Sequence, residues 1–437
     1  MNSQTASDQI IDLLETNRSI FLKIEPEVPD FTIRAPFKIV LFGSNQMVEI
    51  DANDKNLVGL IGLFDATIFD KTQVDRLYVW NLKALAVYFF SISKRFLAPA
   101  TNLIDLKIIE NFLGVRKSAP ENFVECVNRV KLIVKAKTWQ SLYKSIHLPL
   151  ALRVLPAIET QPLLNEETKR TEYPYYEIEG QINGRMNCLR KYAKSYLPHN
   201  MGPEVKAVLK PRGYGLRFLC SDFRHCEVTV LQWLSKDENL KQILDSGADL
   251  HEQIYETVTG DQCNTENKRK LSKKMFLPVM YGCGPSGLAG NLGVNESVAA
   301  ELINRIKQQF STAWEWMQSK QEAAREGVIH DFFGRPRLFD EKQSYLARNF
   351  SVQGVAATAC QEKLIDLFRN IDDNKANIVF SVHDGFGLVC QIKSAHEMYK
   401  LVKQVCEAES SLCPGLKMKV EIKFGAKLDN MKILWRD

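Results

Sequence analysis

The chain has 437 residues, 45% of them hydrophobic and 25% charged, and Lys and Arg exceed Asp and Glu by 57 to 52 for a net charge of +5. That length allows two or three domains with a sizeable core, and the composition is that of a soluble globular protein rather than a disordered or membrane-spanning one. The ten cysteines are scattered with no C-x-x-C pair, which argues against a zinc site or a disulfide framework and for a reducing compartment. The first residues, MNSQTASDQIIDLLETN, carry acids and no Arg-rich or signal-like pattern, so neither a targeting peptide nor secretion is expected. The mild positive charge fits a nucleic-acid partner without establishing one.

Residues 30–115 read as mixed α/β. Phe37 to Phe42 is a strand, Asn56 to Phe69 holds one or two more, and Leu77 to Trp80 is another. Helical periodicity follows in Leu82 to Phe96 and Leu106 to Leu113. Residues 119–160 suggest two or three helices. A short, polar, Tyr-rich connector runs from Gln161 to Asn183.

A short apolar strand, Phe218 to Cys220, ends at Asp222, and five residues later Glu227 opens an apolar, helix-like run. The stretch Lys268 to Gly282 then places Arg269, Lys273, Leu277 and Tyr281 four residues apart, on one face of a helix. Two cations, an apolar residue and a ring in line suit a polyphosphate at one end and a stacked base at the other. Taken alone, an ordinary amphipathic helix with a basic edge is the better explanation of the stripe. Pro278 inside it calls for a kink or a restarted helix. Gly282 to Gly287 fits G-x-G-x-x-G but follows a helix rather than a strand, so a dinucleotide site lacks its required context.

Asn349 and Gln353 fall four apart on a further helix. Two β-rich runs then flank His383-Asp384-Gly385, the tip of a hairpin. Asp222 and Asp384, brought together, could hold a pair of Mg²⁺ ions roughly 3.5–4 Å apart for in-line displacement at phosphorus.

The ordered set resembles the family A DNA polymerases over about residues 180–437. Asp222-Phe223-Arg224-His225-Cys226-Glu227 looks like the first palm motif, Arg269, Lys273 and Tyr281-Gly282 like the fingers helix, and Val382-His383-Asp384 like the last palm motif. Gly184-Arg185, Asp249-Leu250-His251, Phe333-Gly334-Arg335, Asn349 with Val352-Gln353-Gly354, and Val420 to Gly425 match in the right order. The resemblance implies an α+β right-hand fold: connector 151–183 in place of a thumb, palm at 184–235 and 341–437, fingers at 236–340. The first 150 residues faintly resemble a proofreading exonuclease, a smaller α/β RNase H-like domain. Its carboxylates are missing: Gly43-Ser44-Asn45-Gln46 and Leu85 stand where acids should, and Asp105 lacks companions, so the domain reads as degenerate.

The resemblance also implies roles. Asp222 and Asp384 would hold two Mg²⁺, with Mn²⁺ as a substitute, and Arg269 and Lys273 would neutralise the triphosphate of a dNTP. Glu227 would act as a steric gate under the sugar, and His251, Tyr281 and Leu277 would lie near the incoming nucleotide. Arg185, Asn349, Gln353 and His383 would contact primer–template DNA. Several positions depart from the family: His225 replaces Gln, Leu277 an aromatic residue, and Gly385 a glutamate. Asp331, after His330, mimics His383-Asp384 but precedes Phe333-Gly334-Arg335 and is not counted as a ligand. With so short a connector, a processivity or replisome partner becomes one way to hold the duplex. The alternatives are a single-subunit-type RNA polymerase, which shares the Arg–Lys–Tyr helix, and a catalytically weak nucleic-acid-binding protein.

Overall fold

The computed structural model describes all residues except 1–12, 14–15, 18, 29, 33–36, 45, 53–75, 94–95, 97–102, 116–117, 136–138, 182, 192–193, 195 and 436–437. It divides into two compact units. One comprises Met1–Asp222, Gln361–Val405 and Glu421–Asp437, the other Phe223–Cys360 and Cys406–Val420. None of the ten cysteines forms a disulfide. Among the described residues no helix is long and apolar enough to cross a membrane.

The first unit opens with a five-stranded sheet of β1 (Ser19–Glu25), β2 (Phe37–Phe42), β3 (Met47–Ala52), β4 (Arg76–Val79) and β5 (Leu103–Asp105), in the order β3-β2-β1-β4-β5. β1 pairs antiparallel with β2 and parallel with β4, so the sheet is mixed. Ile20, Leu22 and Ile24 of β1 join Leu77, Val79, Leu82 and Leu85 in one apolar core. The strands expected at Phe37 and Leu77 are present, whereas those expected between Asn56 and Phe69 lie outside the described residues. The central strand β1 was not evident from the sequence. Phe21, Leu22 and Ile24 are all buried, so β1 lacks the alternation that marks a half-exposed strand.

Asp105 ends β5 and caps the helix Leu106–Phe112, accepting bonds from the backbone N–H of Lys107 at 3.0 Å and Ile108 at 3.3 Å. A third bond, 2.7 Å from Leu82 N–H, holds the start of Leu82–Ser93. The two or three helices expected over residues 119–160 appear as Phe123–Lys135 and then a helical run from Gln140 to Glu159, two segments of which, Tyr143–His147 and Leu150–Val154, are π-wound. Beyond it the chain forms short strands: β6 (Leu163–Asn165), β7 (Thr171–Glu172), β8 (Tyr176–Glu177), β9 (Asn187–Cys188) and β10 (Leu209–Pro211). No α-helix lies between Gln161 and Gly202 among the described residues. The strand that follows, β11 (Leu216–Phe223), runs past the expected end, so Asp222 lies inside it.

The second unit is mainly helical. Cys226–Ser235, Glu238–Asp245, Leu250–Thr259, Glu266–Met280, Pro285–Leu292, Glu296–Gln309 and Ser311–Glu326 follow in succession. Asp237, Asp249 and Thr265 each accept a backbone N–H bond at a helix start. The Glu266–Met280 helix runs through Pro278 without a restart; the proline sits so near the C-terminus that few hydrogen bonds are at stake. A small hairpin of β12 (Ile329–His330) and β13 (Pro336–Arg337) carries Asp331 and Arg335, a fully buried ion pair at 2.7 Å. Asp331 also accepts N–H bonds from Phe333 and Arg335, so its carboxylate is already satisfied. The long helix Leu346–Asn370 starts in this unit and ends in the first.

The first unit closes with β14 (Ala376–Val382), β15 (Gly385–Gln391) and β16 (Val420–Gly425). With β11 they form a four-stranded sheet in the order β14-β15-β11-β16. Phe218, Val379, Phe380 and Val389 pack on one apolar core with Leu163, Tyr196 and Leu209, which ties the connector to this sheet.

Candidate active site

In the first unit the two aspartates meet through strand register. β14 and β15 are joined by a two-residue turn, His383-Asp384, and Gly385 of β15 is paired with Asp222 of β11. Paired Cα atoms of antiparallel strands lie about 4.5–5.5 Å apart, so Asp384 is one residue from the partner of Asp222. Gly385 is constrained: a Cβ there would come within 2.4 Å of the Ser221 carbonyl oxygen and 3.2 Å of Asp222 Oδ1. A side chain could not be added without displacing the Ser221 carbonyl.

The electrostatics are those of a cation site. Desolvation, then the charge of Asp384, push the Asp222 carboxyl up to about 6, against the pull of Lys423. Lys423 offsets only part of this rise, to which Glu421 also adds. Two hard oxygen donors are of the kind that Mg²⁺ or Mn²⁺ prefers. Among the described residues no group of three or more His, Cys, Asp or Glu is placed to hold a metal ion.

His383 is exposed and adopts φ 45°, a left-handed conformation uncommon outside glycine. Its ring stacks on His199, with centroids 4.8 Å apart and planes 20° from parallel. Burial, then the charges of His383 and Arg185, push the His199 imidazole down to about 4. The structure therefore gathers Asp222, Asp384, His383 and Arg185 and adds His199, which sequence reasoning missed. An isolated His in a Pro-His-Asn stretch gives no periodic or motif signal.

The second unit holds the remaining candidates in two groups. In the first, the Glu227 carboxylate accepts bonds from Tyr281 Oη and, at 2.9 Å, from Gln353 Nε2. Three helices thus converge on one half-exposed carboxylate. Asn349 lies one turn before Gln353 on the same half-exposed face.

In the second group, Arg269 Nη2 pairs with Asp249 Oδ2 at 2.7 Å. The other oxygen of Asp249 caps the Leu250–Thr259 helix through His251 N–H and Glu252 N–H. Desolvation opposes ionisation of Asp249, but the Arg269 and backbone bonds outweigh it and hold its carboxyl below the usual range. His251 meets His225 edge to face at 5.1 Å. Burial, then the charges of His225 and Lys273, push His251 down to about 4. Its Nδ1 is buried without a hydrogen-bond partner among the described residues. Lys273 is exposed and Leu277 half-exposed on the Arg269 face. Phe276 is only 2% exposed and packs edge-on against Phe310, so it belongs to the core. Asp249 was singled out in the sequence only as part of a motif; its double bond to a helix start and to Arg269 is a tertiary fact.

The family model of DNA polymerase family A matches residues 188–430 of this chain. The thermostable DNA polymerase I of Thermus filiformis is 30% identical over 230 residues, covering 50% of this chain and 27% of that protein. DNA polymerase I of Chloroflexus aurantiacus is 26% identical over 239 residues, 51% of this chain and 25% of that protein. The match thus spans about a quarter of the length of these curated relatives. Among solved structures, the POL domain of Pol1 from M. smegmatis, in complex with DNA primer-template and dNTP, is similar in fold with a TM-score of 0.76. It is 13% identical and covers 98% of this chain and 99% of that one.

Proposed function

The chain belongs to DNA polymerase family A, and from that membership we propose that it is a template-dependent DNA polymerase, adding dNTPs to a primer 3′-hydroxyl. The observation that carries this reading is the pairing of Asp222 with Gly385, beside Asp384. In this family arrangement, residues 184–235 and 341–437 form the palm and 236–340 the fingers. Residues 151–183 take the place of a thumb, and 1–150 are a degenerate exonuclease-like domain.

Asp222 and Asp384 would hold the divalent ions. Bound there, two Mg²⁺ would supply charge stabilisation at the attacking and leaving oxygens of the transferred phosphoryl group. Arg269, aimed by Asp249, and exposed Lys273 would engage the triphosphate oxygens as charge builds on the leaving group. Glu227, held by Tyr281 and Gln353, would present a fixed carboxylate beneath the sugar and exclude a 2′-hydroxyl. Tyr281 and Leu277 would offer a surface to the base, with His251 near the phosphates. Arg185, Asn349, Gln353 and His383 would contact the primer–template.

Three features support synthesis without proofreading. Asp105 spends its carboxylate on helix starts, Leu85 is core, and Lys83 forms a buried pair with Glu159 at 2.7 Å. With short strands where a thumb would stand, the isolated chain should grip duplex weakly and act distributively, unless a processivity partner covers the duplex.

Primer extension with Mg²⁺ tests the reading. Wild type should extend a primed template with dNTPs, while Asp222→Asn and Asp384→Asn should not, with duplex binding retained. Extension by either variant near the wild-type rate would remove that residue from the site.

A further inference from the structure

The turn His383-Asp384 hangs from β14, and β14 is the outer strand of its sheet. An edge strand leaves backbone groups facing outward, and buried ones need partners. Here side chains of the connector and of the segment that follows it supply them. Tyr176 Oη accepts from Ser381 N–H at 2.9 Å and donates to the Ser381 carbonyl at 2.8 Å. Tyr196 Oη donates to the Val379 carbonyl at 3.2 Å, where the β14–β15 register shifts between Ile378 and Phe380. Two tyrosine hydroxyls thus stand in for a missing neighbour strand. Burial raises both hydroxyls well above their ordinary pKa, so both remain donors at any working pH.

The brace continues on both sides. Beyond Tyr176, its own N–H donates at 2.8 Å to Glu159, which is fully buried and takes Lys83 Nζ at 2.7 Å. Lys83 also lies 3.4 Å over the Tyr175 ring. Towards the turn, the uncharged His199 ring lies flat on His383.

Resting on the polymerase reading above, we propose that Tyr176 and His199 are positioning residues that set the His383–Asp384 turn for metal and primer. The connector at the thumb position then does more than join two domains, because it relays the rigidity of the N-terminal domain to the strand end that carries Asp384. The strained φ of His383 is held because Ser381, two residues earlier, is pinned through both backbone groups.

The test compares Tyr176→Phe, His199→Ala and His199→Phe with wild type. Tyr176→Phe keeps the ring and removes both hydroxyl bonds. It should lower kcat for primer extension about tenfold, in the range expected when a reacting group is misplaced by up to about 1 Å. KM for dNTP should stay within about twofold, and Mn²⁺ binding by calorimetry should weaken. His199→Ala should follow the same pattern, and His199→Phe, which restores a flat neutral ring, should recover most of the loss. A Tyr176→Phe protein that melts earlier but keeps wild-type kcat and Mn²⁺ affinity when folded would overturn the proposal, leaving Tyr176 a stabilising residue only. If wild type extends no primer but Tyr176→Phe still weakens Mn²⁺ binding, the polymerase reading fails and the brace stands. Equal Mn²⁺ affinities in that case, or no binding by wild type, overturn the brace as well.

Discussion

Asp249 divides its carboxylate between two partners: one oxygen caps the Leu250–Thr259 helix and the other, 2.7 Å away, holds Arg269 Nη2. The cap fixes Asp249, and Asp249 in turn fixes the guanidinium. Asp249→Ala should raise KM for dNTP several-fold and cost roughly 0.5–2 kcal/mol of stability through the lost cap. Asp249→Asn keeps the cap and should show the KM effect alone. Steady-state extension together with urea unfolding separates the two. An unchanged KM in both variants would detach Arg269 from the nucleotide.

Glu227 is held from two directions, by Tyr281 and Gln353, so its carboxylate cannot easily swing aside. Glu227→Ala should ease ribonucleotide incorporation, whereas Glu227→Gln, similar in bulk, should retain most of the discrimination. The readout is the ratio of dNTP to rNTP incorporation on one primed template. If Glu227→Ala discriminates sugars as wild type does, the gate lies elsewhere.

Asp222 titrates near 6 rather than at the ordinary carboxylate value of 3.8. The folded protein therefore keeps a proton there up to about pH 6, and a metal ion must displace it. Mn²⁺ affinity should be nearly flat above pH 7 and fall by up to about tenfold per unit below pH 6. Stability without metal runs the other way: ionising Asp222 becomes a cost as pH rises from 3.8 through about 6, because the unfolded chain ionises more easily. Affinity measured by calorimetry between pH 5 and 8 that shows no such limb would argue against Asp222 as a ligand.

Lys83 and Glu159 are both almost fully buried. Desolvation, opposed by Glu159, pulls the Lys83 amine down to about 8. Lys83→Ala leaves a buried carboxylate uncompensated and should cost about 3–5 kcal/mol, seen as a shift in the urea midpoint at pH 7. A loss below about 1 kcal/mol, the scale of an exposed pair, would mean that water reaches Glu159.

The layout of the candidate site was partly legible in linear order. Arg269, Lys273, Leu277 and Tyr281 recur at the helix period, and the structure places them on one helix ending at Met280 with Tyr281 as its cap. The turn at His383-Asp384 was visible because apolar β runs flank it on both sides. Strand β1 was not, since a strand buried on both faces shows no alternation and resembles a short buried helix. Of the kink or restart expected at Pro278, the restart did not occur: the helix runs on to Met280.

Local periods, caps and the order of the motifs could be read along the chain, because these depend on residues within a few positions of one another. Which distant side chains share a charge or a hydrogen bond emerged with folding. Strand register, set by packing of the Phe218–Phe380 core, brings Asp222 beside the turn that carries Asp384. Helix convergence gives Glu227 its partners Tyr281 and Gln353. The need to satisfy an outer strand explains why Tyr176, 205 residues from Ser381 in the chain, holds both of its backbone groups. Such pairings leave no trace in spacing, since they answer to burial and unmet hydrogen bonds that exist only once the chain has folded.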